Sequence, residues 1–294
     1  MRQFTFAGIP ADSSGRTGQL DRAPSALREL GLTAALNASD AGDLDTVIGA
    51  GAVDADSGLR ALDGLVEATL IIKRRTAHLV EDGKLPFLCG GCSAVAAAAL
   101  AGAVSVAGPL GLAYVNAHSS LHDGDTSPTG HAASMTLSSL LGRGPQVWTS
   151  LLAPKPVLTA DAVHLIGVRD QEETEEADAL QPGDFRPALH VFSTEDIRSH
   201  GAPETGRAAT ALLAQSSQGF WLHIDLDVLN ETAFPATNCN LPGGLDWEEL
   251  AGVLKPLIQA PGLAGASLSG YRPDQDPGAS SGLHLVDLFR SICR

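Results

Sequence analysis

Apolar and polar positions along this chain follow two periods. Short apolar runs closed by glycine, proline or acidic residues predict strands at 3–9, 84–88, 110–115, 163–168, 190–192, 219–225 and 263–268. Between them, apolar residues fall at helical spacing. The longest such stretch is 59–80, where Leu62, Leu65, Ala68, Leu70 and Ile72 recur on one face. Further helices are predicted from Ala23, with Pro24 in the first turn and Gly31 at the exit, and over an alanine-rich stretch to about 101. Others follow at 171–180, 205–215, 247–259 and 283–293, with Ser193 or Thr194 capping one turn through Asp196. Residues 40–58, rich in Asp and Gly, read as loop. Strands alternating with helices from end to end imply a parallel sheet covered on both faces. There is no linker and no repeat, so the expectation is one α/β domain over 1–294.

Two polar strand ends stand out from this rhythm. The apolar run 110–115 is followed at once by Asn116, His118, Ser120, His122, Asp123 and Asp125, side chains able to bind a metal or move a proton. Active sites of α/β sheets are built at the carboxyl ends of strands. The second is His223-Ile224-Asp225-Leu226-Asp227. Read as one strand, it places both carboxylates on the same face, an arrangement that is costly without a cation between them. A third candidate is Cys89-Gly90-Gly91-Cys92-Ser93, a glycine pair between strand and helix. Cys92 in a first helical turn would have a depressed pKa. A redox pair with Cys89 and an inert structural thiol are the other readings.

Composition narrows the class. The chain has 294 residues, 44% hydrophobic, with 34 acidic against 19 basic side chains and a formal charge of -15. That balance disfavours nucleic acid and anionic membranes and favours a small cationic ligand. No apolar run is long enough for a membrane span, and the first residues lack a signal pattern, so the cytoplasm is expected. Four cysteines are too few for a disulfide scaffold.

The order of motifs resembles the ureohydrolase superfamily: arginase, agmatinase, formimidoylglutamase and relatives. It is carried by Gly8-x-Pro10, Ala23-Pro24-Ser25-Ala26-Leu27-Arg28, Gly167-x-Arg169 and Pro242-Gly243-Gly244-Leu245. The resemblance implies a three-layer arginase-like fold, a parallel sheet of about eight strands with helices on both faces, assembled as trimers or hexamers. It implies hydrolysis of a guanidino or amidino C–N bond by a hydroxide held between two Mn²⁺ ions, which lower the pKa of bridging water. Carried over residue by residue, the motifs match only in part. The ligand histidine of G-G-D-H-S falls on Cys92. D-A-H-x-D reads Asn116-Ala117-His118-Ser119-Ser120, and D-x-D-x-x-D-P keeps Asp225 and Asp227 but ends in Asn230-Glu231. The proton-shuttle histidine lands on Ala133, beside His131, and the acid that grips guanidinium lands on Gly270. Asp170 and Glu172 resemble the pair that holds a substrate amino group, and His122 and Thr129 stand where carboxylate-binding residues would be.

The remaining donors, Cys92, His118, Asp225 and Asp227, suit one tetrahedral Zn²⁺ if they converge, and thiolate disfavours Mn²⁺. The expectation is one divalent metal, Zn²⁺ or Mn²⁺, or none, in place of an intact dinuclear Mn²⁺ site. Cys-Ser at this position also resembles the Nω-hydroxy-L-arginine hydrolase branch, which points to a specialised biosynthetic relative. Three functions follow. The first is a divergent ureohydrolase acting on a C–N bond, with His131 or His122 moving protons. The second is a metal-independent enzyme with Cys92 as nucleophile, His118 or His131 as base and Asp225 orienting it. The third is an inactive binding or assembly protein. Ordinary arginase activity is not expected.

Overall fold

The computed structural model describes residues 3–293. In its first half the chain runs β1 (Phe4–Ile9), α1 (Ala23–Glu29), α2 (Leu32–Ala35), β2 (Ser39–Asp43), α3 (Leu62–Glu81), β3 (Leu85–Gly90), α4 (Ala94–Ala107), β4 (Gly111–Val115), α5 (Thr136–Leu140) and α6 (Gln146–Leu152). The second half adds β5 (Val163–Ile166), α7 (Gln171–Glu176), β6 (His190–Phe192), α8 (Thr194–His200), α9 (Ala202–Ser216), β7 (Phe220–Asp225), α10 (Trp247–Gln259), β8 (Leu263–Ser269) and α11 (Ser280–Ile292). The eight strands form one sheet in the order β2-β1-β3-β8-β7-β4-β5-β6, and every pair is parallel.

Both faces of the central strands are apolar, as a sheet sandwiched between helices requires. On β7, Phe220, Leu222 and Ile224 enter one core, which includes Leu254 of α10 and Phe289 of α11. Trp221 enters the other, with Ile72 of α3 and Leu100 of α4. The alanine-rich α4 is buried along Ala94–Val104, so it reads as apolar all round. Among the described residues, no helix is long and apolar enough to cross a membrane.

Two expectations change. Residues 39–43 form a strand, not loop. β2 lies at the sheet edge, pairs only with β1 and is mostly exposed, so SDAGD carries no apolar alternation. The strand carrying the aspartates ends at Asp225, and Leu226–Val228 form a 3-10 turn, so Asp227 is not on β7.

His164 on β5 is fully buried, and neither ring nitrogen has a hydrogen-bond partner among the described residues. Its ring stacks on His190 with centroids 4.6 Å apart. Burial, then the neighbouring His190, pushes its pKa down to about 4. The fold therefore holds it neutral, while the unfolded chain protonates it below its ordinary value. Stability contributed by the neutral ring is intact above pH 6.5 and falls as pH drops towards 4. Each tenfold difference in proton affinity between the folded and unfolded chain is worth about 1.4 kcal/mol. A His164→Phe variant should show a shallower loss of urea-unfolding stability between pH 7 and 4.5. An unchanged slope would contradict this.

Candidate active site

Six strand ends meet around one cavity of about 380 Å³. β1 delivers Asp12, Ser13, Ser14 and Arg16; β3 delivers Gly91, Cys92 and Ser93; β4 delivers Asn116, His118, Ser120 and His122, with Thr129 and His131 further along its loop. β5 leads to Asp170, β7 to Asp225 and Asp227, and β8 to Gly270 and Arg272. Gly91 is required by space, since a Cβ there would lie 2.2 Å from the carbonyl of Ala11.

Asp225 and Asp227 are both buried. His118 Nδ1 lies 2.7 Å from Asp227 Oδ2, and the backbone N–H of Ala117 donates to Asp227 Oδ1 at 3.2 Å. Burial alone would lower the His118 pKa, but the charge and hydrogen bond of Asp227 override it and hold it up to about 9. The ring is thus an imidazolium at neutral pH. Burial raises Asp227 too, and His118 outweighs that and brings it below the ordinary carboxylate value. Asp225 goes the other way. Burial and then the Asp227 charge push it up, against the Ser269 hydroxyl, which donates to Asp225 Oδ2 at 2.6 Å.

Arg169 fixes the turn carrying Asp227. Its guanidinium donates to the carbonyls of Asp227 and Leu241, each at 2.9 Å, and to that of Val228 at 3.2 Å. A planar guanidinium with several donors suits this task better than an ammonium.

Cys92 differs from expectation. It precedes α4 by two residues, and its pKa is pushed up to about 11 by burial and by Asp12. Its thiol accepts from the Ser13 N–H and donates to the Ser13 Oγ, both at 3.3 Å. Burial therefore outweighs the helix dipole, and the thiol is protonated at neutral pH. Nor does it pair with Cys89, because all four cysteines are free and the two side chains pack in opposite cores.

A model of the Arginase family matches residues 2–293. The chain belongs to the arginase family. It is 27% identical to an arginase of Brevibacillus brevis over 99% of this chain and 97% of that protein, and 26% identical to one of Bacillus caldovelox over 99% and 98%. The crystal structure of an arginase from Bacillus cereus superposes with a TM-score of 0.85 at 25% identity, covering 99% of this chain and 98% of that one. The arginase-like α/β fold and membership of the ureohydrolase superfamily follow.

The two-manganese centre that goes with the arginase family can be tested against the donors present. Cys92, His118, Asp225 and Asp227 line one cavity, but they do not converge as the tetrahedral set expected above. Among the described residues, no three His, Cys, Asp or Glu side chains are arranged to hold an ion. The donors make hydrogen bonds within the protein. The Cys92 thiol meets Ser13, and the His118 nitrogen meets Asp227 directly. Asn116 Oδ1 accepts the N–H of His118 at 2.8 Å, and Ser120 Oγ is 2.8 Å from the Tyr114 hydroxyl. By the motif resemblance, this neutral amide and hydroxyl stand where two carboxylates would offset the charge of two hard cations. The donors do not fit that pair.

Gly270, the position to which the motif resemblance carries the guanidinium-gripping acid, lines the cavity. Its φ is +92°, and a Cβ would sit 2.3 Å from Asp225 Oδ1. Asp225 occupies the space a side chain would need. Asp170 is placed at the wall: Oδ2 accepts the Ser119 N–H at 2.8 Å and its hydroxyl at 3.0 Å, while the buried Oδ1 has no hydrogen-bond partner among the described residues. Its predicted companion Glu172 is a correction. Both it and Glu173 are exposed, and of the two it is Glu173 of α7 that lines the cavity. His122, Thr129 and His131 all line the cavity. Sequence reasoning missed Asp12, Arg16, Asn238, Cys239 and Arg272. The only signal for the first two was the polar loop after β1.

If Asp227 holds His118 charged, an Asp227→Asn variant leaves burial opposed only by the weaker charges of Asp170 and Asp225. NMR titration should then place the His118 pKa clearly below the wild-type value of about 9. A value still near 9 would contradict the pairing.

Proposed function

We propose that this chain is a divergent ureohydrolase that hydrolyses a C–N bond of a small, amino-bearing guanidino, amidino or related compound without a manganese pair. The observation that carries the reading is the His118–Asp227–Asp225 cluster at a cavity whose wall holds a carboxylate oxygen, Asp170 Oδ1, with no hydrogen-bond partner among the described residues. A buried lone-pair acceptor left unpaired is costly, and a ligand ammonium would satisfy it. Asp12, Glu173, Asp225 and Asp227 add negative field against Arg16 and Arg272, which suits a cationic ligand.

In this reading the two ends of the cluster divide the proton work. Ionised Asp225 takes a proton from water as it attacks the amidine carbon, and the His118 imidazolium gives a proton to the departing nitrogen. Asp227 keeps His118 charged and oriented. His122 and His131 stand at the cavity as further proton carriers, and Thr129 as a polar ligand contact. Cys92 serves as wall; its raised pKa and its bonds to Ser13 speak against a thiolate nucleophile. The altered acid position at Gly270 supports a substrate other than arginine, in specialised metabolism. The same reading includes a homo-oligomer, trimer or hexamer, working in the cytoplasm with no nucleic-acid or membrane partner.

The test is release of urea or ammonia from a panel of guanidino and amidino amines and amino acids, with protein dialysed against chelator. Turnover of some compounds should survive chelation and fall at least 100-fold in Asp225→Asn, the order of magnitude general base catalysis supplies. Turnover that needs added Mn²⁺ would overturn the proposal. Tight binding without turnover would favour the inactive, ligand-binding reading.

A further inference from the structure

Beneath the cavity, β7 and β8 carry a polar pattern inside an otherwise apolar layer. Trp221, His223 and Asp225 alternate onto one face of β7, and Ser267 and Ser269 onto the same face of β8. The parallel register sets Ser267 beside His223 and Ser269 beside Asp225. All five are buried, and the Tyr114 ring stacks on His223 at 4.9 Å.

The contacts form one unbroken series. Trp221 Nε1 donates to Ser267 Oγ at 3.0 Å, and Ser267 Oγ lies 2.9 Å from His223 Nδ1. His223 Nε2 lies 3.5 Å from Ser269 Oγ, which donates to Asp225 Oδ2 at 2.6 Å. Donor chemistry fixes the direction of every link. An indole N–H can only donate, and Asp225 in its ionised form can only accept. Ser269 has one proton, which goes to Asp225, so it must accept from His223 Nε2–H. A buried imidazole with no carboxylate bonded to it stays neutral, so Nδ1 carries no proton and accepts from the Ser267 hydroxyl.

We infer that Trp221, Ser267, His223 and Ser269 are positioning residues, a one-directional hydrogen-bond chain that holds the carboxylate of Asp225 in place and fixes His223 as the Nε2–H tautomer. Each donor points towards Asp225, so each link polarises the next. Asp225 is then gripped at both oxygens, since Oδ1 accepts the Asp227 N–H at 3.2 Å. This fixes the torsion of its side chain over Gly270. The inference gains its functional meaning from the reading that Asp225 acts on the ligand, but its geometry stands apart from that reading.

The experiment is NMR of the full chain with ¹⁵N-labelled histidine and ¹³C-labelled aspartate, recorded without substrate at pH 8. His223 should show a protonated Nε2 and a bare Nδ1. Nδ1–H, or both nitrogens protonated, would overturn the chain, and this measurement needs no variant. Ser269→Ala should shift both the His223 Nε2–H signal and the Asp225 carboxyl carbon, and Ser269→Thr, which keeps the hydroxyl, should restore both. Signals unmoved in Ser269→Ala would also overturn it. Because no turnover is read, a failure here is distinct from a failure to find a substrate.

Discussion

Two carboxylates at the end of a buried strand set the problem that the rest of the site answers. Asp225 and Asp227 are almost removed from water, where like charges raise each other's cost steeply. Their compensation comes from the protein itself. His118 lies 2.7 Å from Asp227 as an imidazolium, Ser269 and backbone N–H groups donate to the oxygens, and burial favours a proton on Asp225. A buried ion pair is a weak source of stability, because desolvation cancels most of its attraction. Its value here is that it places a charged acid and a carboxylate side by side.

The neighbouring substitutions are consistent with that arrangement. At the positions where the motif resemblance implies further acids and a histidine stand Asn116, Ser120 and Cys92, and each is tied into the protein by a neutral hydrogen bond. Gly270 leaves room for Asp225, and Arg169 braces the turn behind Asp227 through its carbonyls. Charge has been removed from one end of the site and retained at the other. Asp170 then stands as the wall's unsatisfied acceptor among the described residues, the group that the proposed cationic ligand would meet.

Much of the fold was legible because both faces of the central strands are apolar. Long amphipathic stretches such as α3 and α10 and runs such as β4 and β7 announce themselves by period. β2 did not, since an exposed edge strand needs no apolar face, and the short helices α2, α5 and α6 are too brief to show one. At the site, the residue types in the β4 loop and at the end of β7 were visible, and the motif order identified the family. What local spacing could not convey was three-dimensional: Asp227 leaves the strand in a 3-10 turn, α7 presents Glu173 and not Glu172, and the β1 loop reaches across to close the cavity. Cys92 was misjudged for a related reason. Its place before α4 suggested an activated thiol, but the desolvation that decides its pKa comes from residues distant in the chain.

The central physical claim is that His118 and Asp227 are bonded to one another and not held apart by cations. The most direct measurement is a Mn²⁺ titration of chelator-treated full-length protein, followed by electron paramagnetic resonance. A closed pair predicts that the free-ion signal stays undiminished with metal and protein at equal micromolar concentrations. Uptake of two equivalents per chain, with the spectrum of a coupled pair, would contradict it.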